Sequence, residues 1–178
     1  MSPSDLLSLV KELRKRPLDM AGSTVHAVSY GRSAIERILP HRDPLLFVDA
    51  MDAVDLQNRR VRGKFIPRAD DPTFRGHFPG DPVYPGAFQI EAMGQLGLCL
   101  AHFVTNNTTS ITEDAHPVAV RALRVHHAQY IDAVLPGDVI ETYAALLEED
   151  GMTATCTGQM VKGGRVVSLA IQEVYFVE

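Results

Sequence analysis

The sequence has little cysteine and no excess of positive charge. Only Cys99 and Cys156 occur in 178 residues, and they lack the CxxC spacing that is typical of redox and metal sites. Two isolated cysteines suggest no disulfide framework and fit a protein of the reducing cytoplasm. The formal net charge of −5 argues against non-specific binding of nucleic acid.

Motifs for metals, nucleotides and export are missing as well. The chain contains no HExxH pattern and no comparable cluster of ligands, so no metal is expected. It also has no glycine-rich nucleotide loop, and no cofactor is expected. The N-terminus does not resemble a signal peptide, because its short apolar part precedes its positive charges instead of following them.

A long apolar stretch, residues 87–104, predicts a helix that opens at Pro85-Gly86. Glu91 and Gln95 lie in its middle, it contains two glycines, and basic flanks are absent. These features argue against a membrane span and favour a helix in the protein core. A helix that is apolar on nearly all sides has to be covered by other elements.

Alternating apolar residues and turn residues predict strands on both sides of this helix. The expected strands are 45–54, 59–67, 118–130, 139–147, 152–161 and 166–176. A long helix followed by an antiparallel meander predicts an α+β fold, in which the antiparallel sheet wraps around the long central helix.

The N-terminal part of the chain has a different pattern. Residues 1–34 are predicted to be an extension that contains a short amphipathic helix over 4–16 and a linker over 17–32. Residues 35–178 are predicted to form the main domain.

Glu91 and His77 are the first candidates for catalysis. Between residues 87 and 104 the only other titratable groups are Cys99 and His102, so Glu91 is expected to be buried in an apolar environment. A carboxyl group in low dielectric resists ionising and can hold a proton near neutral pH. His77 lies fourteen residues upstream in a loop rich in glycine and proline, and a histidine can act as the complementary base. A structural carboxylate and an ordinary loop histidine are the alternatives.

Two neighbouring residues could support this pair. Gln95 follows Glu91 by four residues, so it shares a helix face with Glu91 and can hydrogen-bond the carboxyl group. Gly86 stands at the predicted helix start, where backbone amides are free donors and can bind an oxyanion. A glycine there would let a substrate carbonyl approach the backbone closely, although a plain turn glycine is the alternative.

Four ordered blocks of sequence resemble one family of enzymes. They are PHRDPLLFVD from Pro40, GHFPGDPVYPG from Gly76, EAMGQ from Glu91 and VLPGD from Val134. Together these blocks closely resemble the 3-hydroxyacyl-[acyl-carrier-protein] dehydratases of the hot-dog fold. The similarity extends over residues 35–178, and it implies the hot-dog fold for that region.

The resemblance also implies a mechanism. His77 and Glu91 would be the catalytic pair, and the Gly86 amide would bind the thioester carbonyl. His77 would remove the proton α to that carbonyl, and protonated Glu91 would deliver a proton to the departing β-hydroxyl. In this family the two side chains meet across a homodimer interface, one from each subunit, and the dimers could assemble further into a trimer of dimers.

The implied substrate is a 3-hydroxyacyl thioester carried by acyl carrier protein or by coenzyme A, in fatty-acid synthesis or a related lipid or polyketide route. Candidates for lining an acyl tunnel are Phe78, Phe88, Met93 and Leu96, and core packing would explain them equally well. The basic residues between 59 and 68 form either a solvated edge strand or a docking surface for an acidic carrier protein or for the phosphate of its phosphopantetheine arm.

Some features of the sequence differ from the usual pattern of this family. Residues 129–132, with the sequence QYID, stand where the family usually has basic residues. Glu91 is typical of the dehydratases without isomerase activity, whereas the N-terminal extension is more like the isomerising type. The alternatives are therefore another hot-dog thioester enzyme, namely a thioesterase or a dehydratase-isomerase, and a non-catalytic acyl-binding subunit.

Overall fold

In the computed structural model, the described residues 2–177 form a seven-stranded antiparallel sheet packed on one long helix. The strands are β1 (His26–Gly31), β2 (Ala50–Asp55), β3 (Arg60–Phe65), β4 (Val120–Tyr130), β5 (Ile140–Glu149), β6 (Thr153–Lys162) and β7 (Arg165–Phe176). The helices are α1 (Pro3–Leu13), α2 (Arg32–Ile38), α3 (Thr73–Gly76) and α4 (Gly86–Thr105). The predicted α+β class is confirmed.

Helix α4 carries much of the core. Leu96, Leu100 and Phe103 recur at helical spacing and are almost completely buried between α4 and the sheet. The helix lies close to β6 because Gly97 has no side chain: a Cβ there would be 2.9 Å from the sulfur of Cys156. The helix predicted from its apolar sequence is therefore confirmed, and its start at Gly86 is the predicted one.

The last four strands do not form a simple meander. Strands β5, β6 and β7 are consecutive neighbours, but β4 pairs with β7 at the edge of the sheet, and β5 pairs with β3. The predicted meander is therefore wrong for β4. Alternation of apolar and polar residues indicates which side chains face the core, but it does not specify which strands pair.

Part of the predicted linker is a strand. Strand β1 occupies residues 26–31 and pairs with β2, so the linker expected over 17–32 is wrong at that end. Val28 and Tyr30 alternate along β1 and pack against the core cluster. The strand is short and ends at Gly31, which obscured its pattern. The domain boundary after residue 34 stays a prediction.

Helix α1 covers the face of the sheet opposite to α4. Val10 and Leu13 pack with Tyr143 and Leu169, which belong to a separate cluster on β5 to β7. The adjacent residue Ala144 belongs instead to the α4 core, and neighbouring residues of a strand point to opposite faces. The N-terminal segment is thus packed on the outer face of the sheet.

Gln159 joins this N-terminal segment to the sheet. Its amide nitrogen donates to the carbonyl oxygens of Leu13 and Arg16, and its Oε1 accepts from the Leu18 N–H at 2.7 Å. We expect Gln159→Ala to lower the free energy of unfolding by about 1–3 kcal/mol, because it leaves these backbone groups without partners. Urea unfolding measures this loss. Gln57→Ala, at an exposed turn, is the control, and equal stability of both variants would contradict the prediction.

Candidate active site

His77 lies at the end of α3 with its ring held in a defined orientation. Its Nδ1 is 2.8 Å from the carbonyl oxygen of Val83, and its ring stacks on Phe78 with centroids 4.0 Å apart. A carbonyl oxygen can only accept, so in the neutral ring Nδ1 carries the hydrogen and donates it. Nε2 is then left without a proton, which is the state required of a general base.

His77 and Gly86 line one cavity of about 440 Å³. Gly86 is the first residue of α4, and its N–H has no hydrogen-bond partner within residues 2–177, because the helix offers no carbonyl to a donor at its first position. A free backbone N–H in the same cavity as an imidazole can bind a carbonyl oxygen while the imidazole removes a proton from the same substrate.

Glu91 lines a different cavity, of about 490 Å³, together with His41 and Gln95. No residue lines both this cavity and the one that contains His77. Positions 86 and 91 are five residues apart on α4, which places them about 140° apart around the helix axis. Within a single chain, therefore, the sequence-predicted pair of His77 and Glu91 does not share a cavity.

Gln95 makes the predicted hydrogen bond to Glu91. Its Nε2 donates to Glu91 Oε1 at 2.8 Å and to the carbonyl oxygen of Leu45 at 2.8 Å. Its Oε1 accepts from the N–H of Phe47 at 2.8 Å. Since Gln95 itself is buried and fully bonded, it holds one oxygen of the Glu91 carboxylate in place.

The single chain does not bury Glu91. Its side chain is 48% exposed, so the expected enclosure in an apolar core is wrong for one chain. The core-facing side of α4 is formed by other residues, such as Leu96 and Leu100, while Glu91 points to a cavity beside residues 117–122 at the start of β4. Its enclosure would require a further element over that cavity.

A histidine other than His77 contacts Glu91, and the sequence pattern did not predict it as a site residue. His41 Nε2 is 3.4 Å from Glu91 Oε1. Its Nδ1 is buried and has no hydrogen-bond partner in the described part of the chain. The two residues are fifty positions apart, so their spacing carries no signal. The only hint was that His41 belongs to the block PHRDPLLFVD.

The candidates for an acyl tunnel lie in different surroundings. Phe78 is 53% exposed beside His77, while Phe88 stacks on Phe47 at 5.4 Å. Met93 and Leu96 are buried in two core clusters. Neither of the two cavities described above is lined by any of these four residues. Core packing accounts for Met93 and Leu96, and a tunnel role for the four stays a prediction.

Acidic side chains neutralise much of the basic run between residues 59 and 68. Asp52 binds Arg62 at 2.6 Å and Lys64 at 3.8 Å. Further ion pairs join Arg68 to Asp43 at 3.4 Å and Arg59 to Glu149 at 4.0 Å. This surface is therefore less positive than its strand alone suggests, which weakens the hypothesis that it docks an acidic carrier.

Neither a cluster of metal ligands nor a membrane-spanning helix is present among residues 2–177. No group of three or more His, Cys, Asp or Glu side chains in that range could hold a metal ion. None of the helices in the same range has the length and apolar character needed to cross a membrane.

Solved structures with the same architecture place the chain in the hot-dog fold class. One is the dehydratase heterocomplex ApeI:P from Xenorhabdus doucetiae, with a TM-score of 0.62 and 20% identity over 81% of this chain and 91% of that chain. Another is the Escherichia coli PaaI protein of the phenylacetic acid degradation operon, with a TM-score of 0.51 and 10% identity over 74% and 78%. At these identities the likeness concerns the fold alone.

Sequence comparison identifies the family. A FabA-like domain model matches residues 39–171, and the chain belongs to this family. It is 32% identical over 136 residues to the 3-hydroxyacyl-[acyl-carrier-protein] dehydratase FabZ of a Nitratiruptor species, covering 76% of this chain and 90% of the relative. It is 34% identical over 137 residues to the FabZ of an Anaeromyxobacter species, covering 77% and 84%. The resemblance found in the four sequence blocks is confirmed.

Proposed function

We propose that this protein is a dehydratase that eliminates water from a 3-hydroxyacyl thioester and forms the trans-2-enoyl thioester. The observation that carries the proposal is that His77, whose Nδ1 is bonded to Val83, lines one cavity together with Gly86, whose N–H has no partner within residues 2–177. Membership of the FabA-like family and the names of the FabZ relatives support the same reaction.

The elimination requires a base, a donor for the oxyanion and an acid. His77 Nε2 takes the proton α to the carbonyl, and the Gly86 N–H donates to the carbonyl oxygen as it gains negative charge. Glu91, held by Gln95, passes its proton to the β-hydroxyl, which leaves as water. A positioned acid or base contributes about 10²- to 10⁴-fold to the rate, and one oxyanion donor contributes about 2.7–4 kcal/mol.

We further propose that a second copy of the chain completes the site. One chain places His77 and Glu91 in separate cavities, so the acid that acts opposite His77 would come from the partner. Strand β4 is an edge strand with exposed Leu123 and Val125, and such an edge is a template for pairing with another strand. Two-fold pairing there would bring the partner next to the Glu91 cavity, which the start of β4 lines. A trimer of such dimers stays a prediction.

Acyl carrier protein is the proposed carrier, because the relatives are named for substrates attached to it. Coenzyme A is the alternative, and the neutralised basic run does not favour either. The two free thiols, Cys99 and Cys156, fit a reducing compartment, and the cytoplasm is the proposed location.

The proposal is tested by incubating the protein with 3-hydroxyacyl thioesters on acyl carrier protein and on coenzyme A. Mass spectrometry is expected to show loss of one water with the thioester intact, and NMR is expected to place the double bond at carbon 2. A double bond that migrates would indicate a dehydratase-isomerase. Free acid as the only product would indicate a thioesterase, and bound but unconverted substrate would indicate an acyl-binding subunit.

A further inference from the structure

Tyr130, the last residue of β4, lies across the start of α4. A Cβ on Gly86 would be 2.5 Å from Cζ and 2.8 Å from the hydroxyl oxygen of Tyr130. Any side chain at position 86 would therefore collide with the phenol ring. A glycine at position 86 thus lets the phenol ring of Tyr130 lie against the start of α4, in addition to allowing the close approach of a substrate.

The hydroxyl of Tyr130 is a free donor in the cavity that contains His77. Tyr130, His77 and Gly86 all line this cavity, and within residues 2–177 the hydroxyl makes no hydrogen bond. Tyr130 is 49% exposed, and the partial desolvation of its ring raises the pKa of the phenol. The phenol therefore keeps its proton at neutral pH and is able to donate it in a hydrogen bond.

Both donors can reach a single acceptor. A Cβ lies about 2.5 Å from the nitrogen of its own residue, so the Tyr130 oxygen is within about 5.3 Å of the Gly86 nitrogen. An oxygen that is about 2.9 Å from each of two donors can bridge a gap of this size. A carbonyl oxygen has two lone pairs and can accept both hydrogen bonds.

A buried polar side chain with an unpaired acceptor lies in the wall of this cavity. Gln89 lines it, and its side chain is only 3% exposed. Its Nε2 donates to the carbonyl oxygen of Tyr84 at 3.1 Å, while its Oε1 has no partner among the described residues. Leaving a buried acceptor unpaired costs about 1–3 kcal/mol. Because this oxygen is itself buried, a substrate N–H or O–H group would reach it only if the Gln89 side chain turned toward the cavity.

We propose that the Tyr130 hydroxyl is a second hydrogen-bond donor to the thioester carbonyl oxygen, alongside the Gly86 N–H. This inference rests on the proposed dehydration and adds a catalytic residue to it. When His77 takes the α proton, the electron pair of the broken C–H bond moves into the enolate and its oxygen becomes negative. The hydrogen bond from Tyr130 strengthens at that moment, while the proton stays on the phenol.

The first test is Tyr130→Phe, which removes the hydroxyl and keeps the ring over Gly86. We expect kcat/KM for elimination to fall about 10²-fold, the smaller loss seen for one oxyanion donor, because the Gly86 N–H remains. Tyr175→Phe is the matched control: Tyr175 is exposed on β7, does not line this cavity, and should tolerate the change. Unchanged kcat/KM in an active Tyr130→Phe protein would overturn the proposal.

A second measurement separates hydrogen bonding from packing. Calorimetry compares the binding of two unreactive substrate analogues. In the first, a ketone replaces the thioester, so the carbonyl oxygen is kept. In the second, a methylene group replaces the carbonyl, so that oxygen is lost. Tyr130→Phe is expected to weaken binding of the ketone analogue about tenfold, the effect of losing one hydrogen bond, and to leave the affinity for the methylene analogue unchanged. Equal weakening of both analogues would mean that the tyrosine acts only through packing. A wild-type protein that dehydrates no 3-hydroxyacyl thioester would overturn the proposed function itself, which is a separate outcome.

Discussion

Replacement of His77 by alanine is expected to lower kcat/KM for the elimination by about 10²- to 10⁴-fold, the usual contribution of a positioned base. The loss follows from removal of Nε2. In the neutral ring the hydrogen is on Nδ1, which donates it to Val83, so Nε2 is the nitrogen that can accept the α proton. Stopped-flow or steady-state assays of enoyl thioester formation measure the effect.

The fold should survive this change. His77 is only half-buried and makes one side-chain hydrogen bond, so its loss should cost about 0.5–1.5 kcal/mol of stability. His116→Ala, at an exposed loop position outside the cavity, is the control and should keep wild-type activity. A folded His77→Ala protein with undiminished turnover would show that another group removes the α proton.

Glu91→Gln is expected to reduce elimination by a similar factor, about 10²- to 10⁴-fold, because the amide cannot protonate the leaving hydroxyl. The replacement keeps the shape of the side chain and leaves an oxygen that can accept from Gln95. A loss of activity without a loss of folding would separate the acid from a structural carboxylate. The same assay of enoyl formation measures it, and full activity would exclude Glu91 as the acid.

Mixing the two inactive variants tests whether the site is shared between subunits. In a dimer of His77→Ala with Glu91→Gln, one site receives both intact residues and the other receives neither. Random exchange of subunits in a symmetric dimer should therefore restore about a quarter of the wild-type activity. If both residues served one site within a single chain, mixing would restore nothing.

A matched control makes this experiment decisive. His77→Ala mixed with the double variant His77→Ala/Glu91→Gln cannot assemble a site with an intact histidine under either arrangement. This mixture should stay inactive at every ratio, whereas the complementing mixture should be most active at equal amounts of the two variants. Activity in the control mixture would indicate contamination or a base other than His77.

How far the sequence predicted the fold depended on the length of each pattern. Helix α4 was predicted to within one residue at its start because its apolar run is long and follows a proline. Strand β1 was missed because it has only six residues and ends at a glycine. The expected strand over 45–54 begins only at Ala50, since residues 45–49 lie outside regular structure and contribute backbone contacts to Gln95 instead.

The candidate site was predictable where its residues are close along the chain. Glu91 and Gln95 are four residues apart on one helix, and their hydrogen bond is present. The contact of His41 with Glu91 joins residues from distant segments, and no spacing rule connects them. Tyr130 was noticed only as a departure from the family, and its place over Gly86 depends on how β4 is packed.

By itself, the sequence determined the α+β class, the central helix and the family, because these depend on local periodicity and on motifs of adjacent residues. Only the tertiary structure decided that β4 lies at the sheet edge, that Glu91 is exposed in one chain, and that it lies in a different cavity from His77. The physical reason is that strand pairing and burial arise from contacts between segments far apart along the chain. A pattern with a period of two or 3.6 residues describes only the faces of one element.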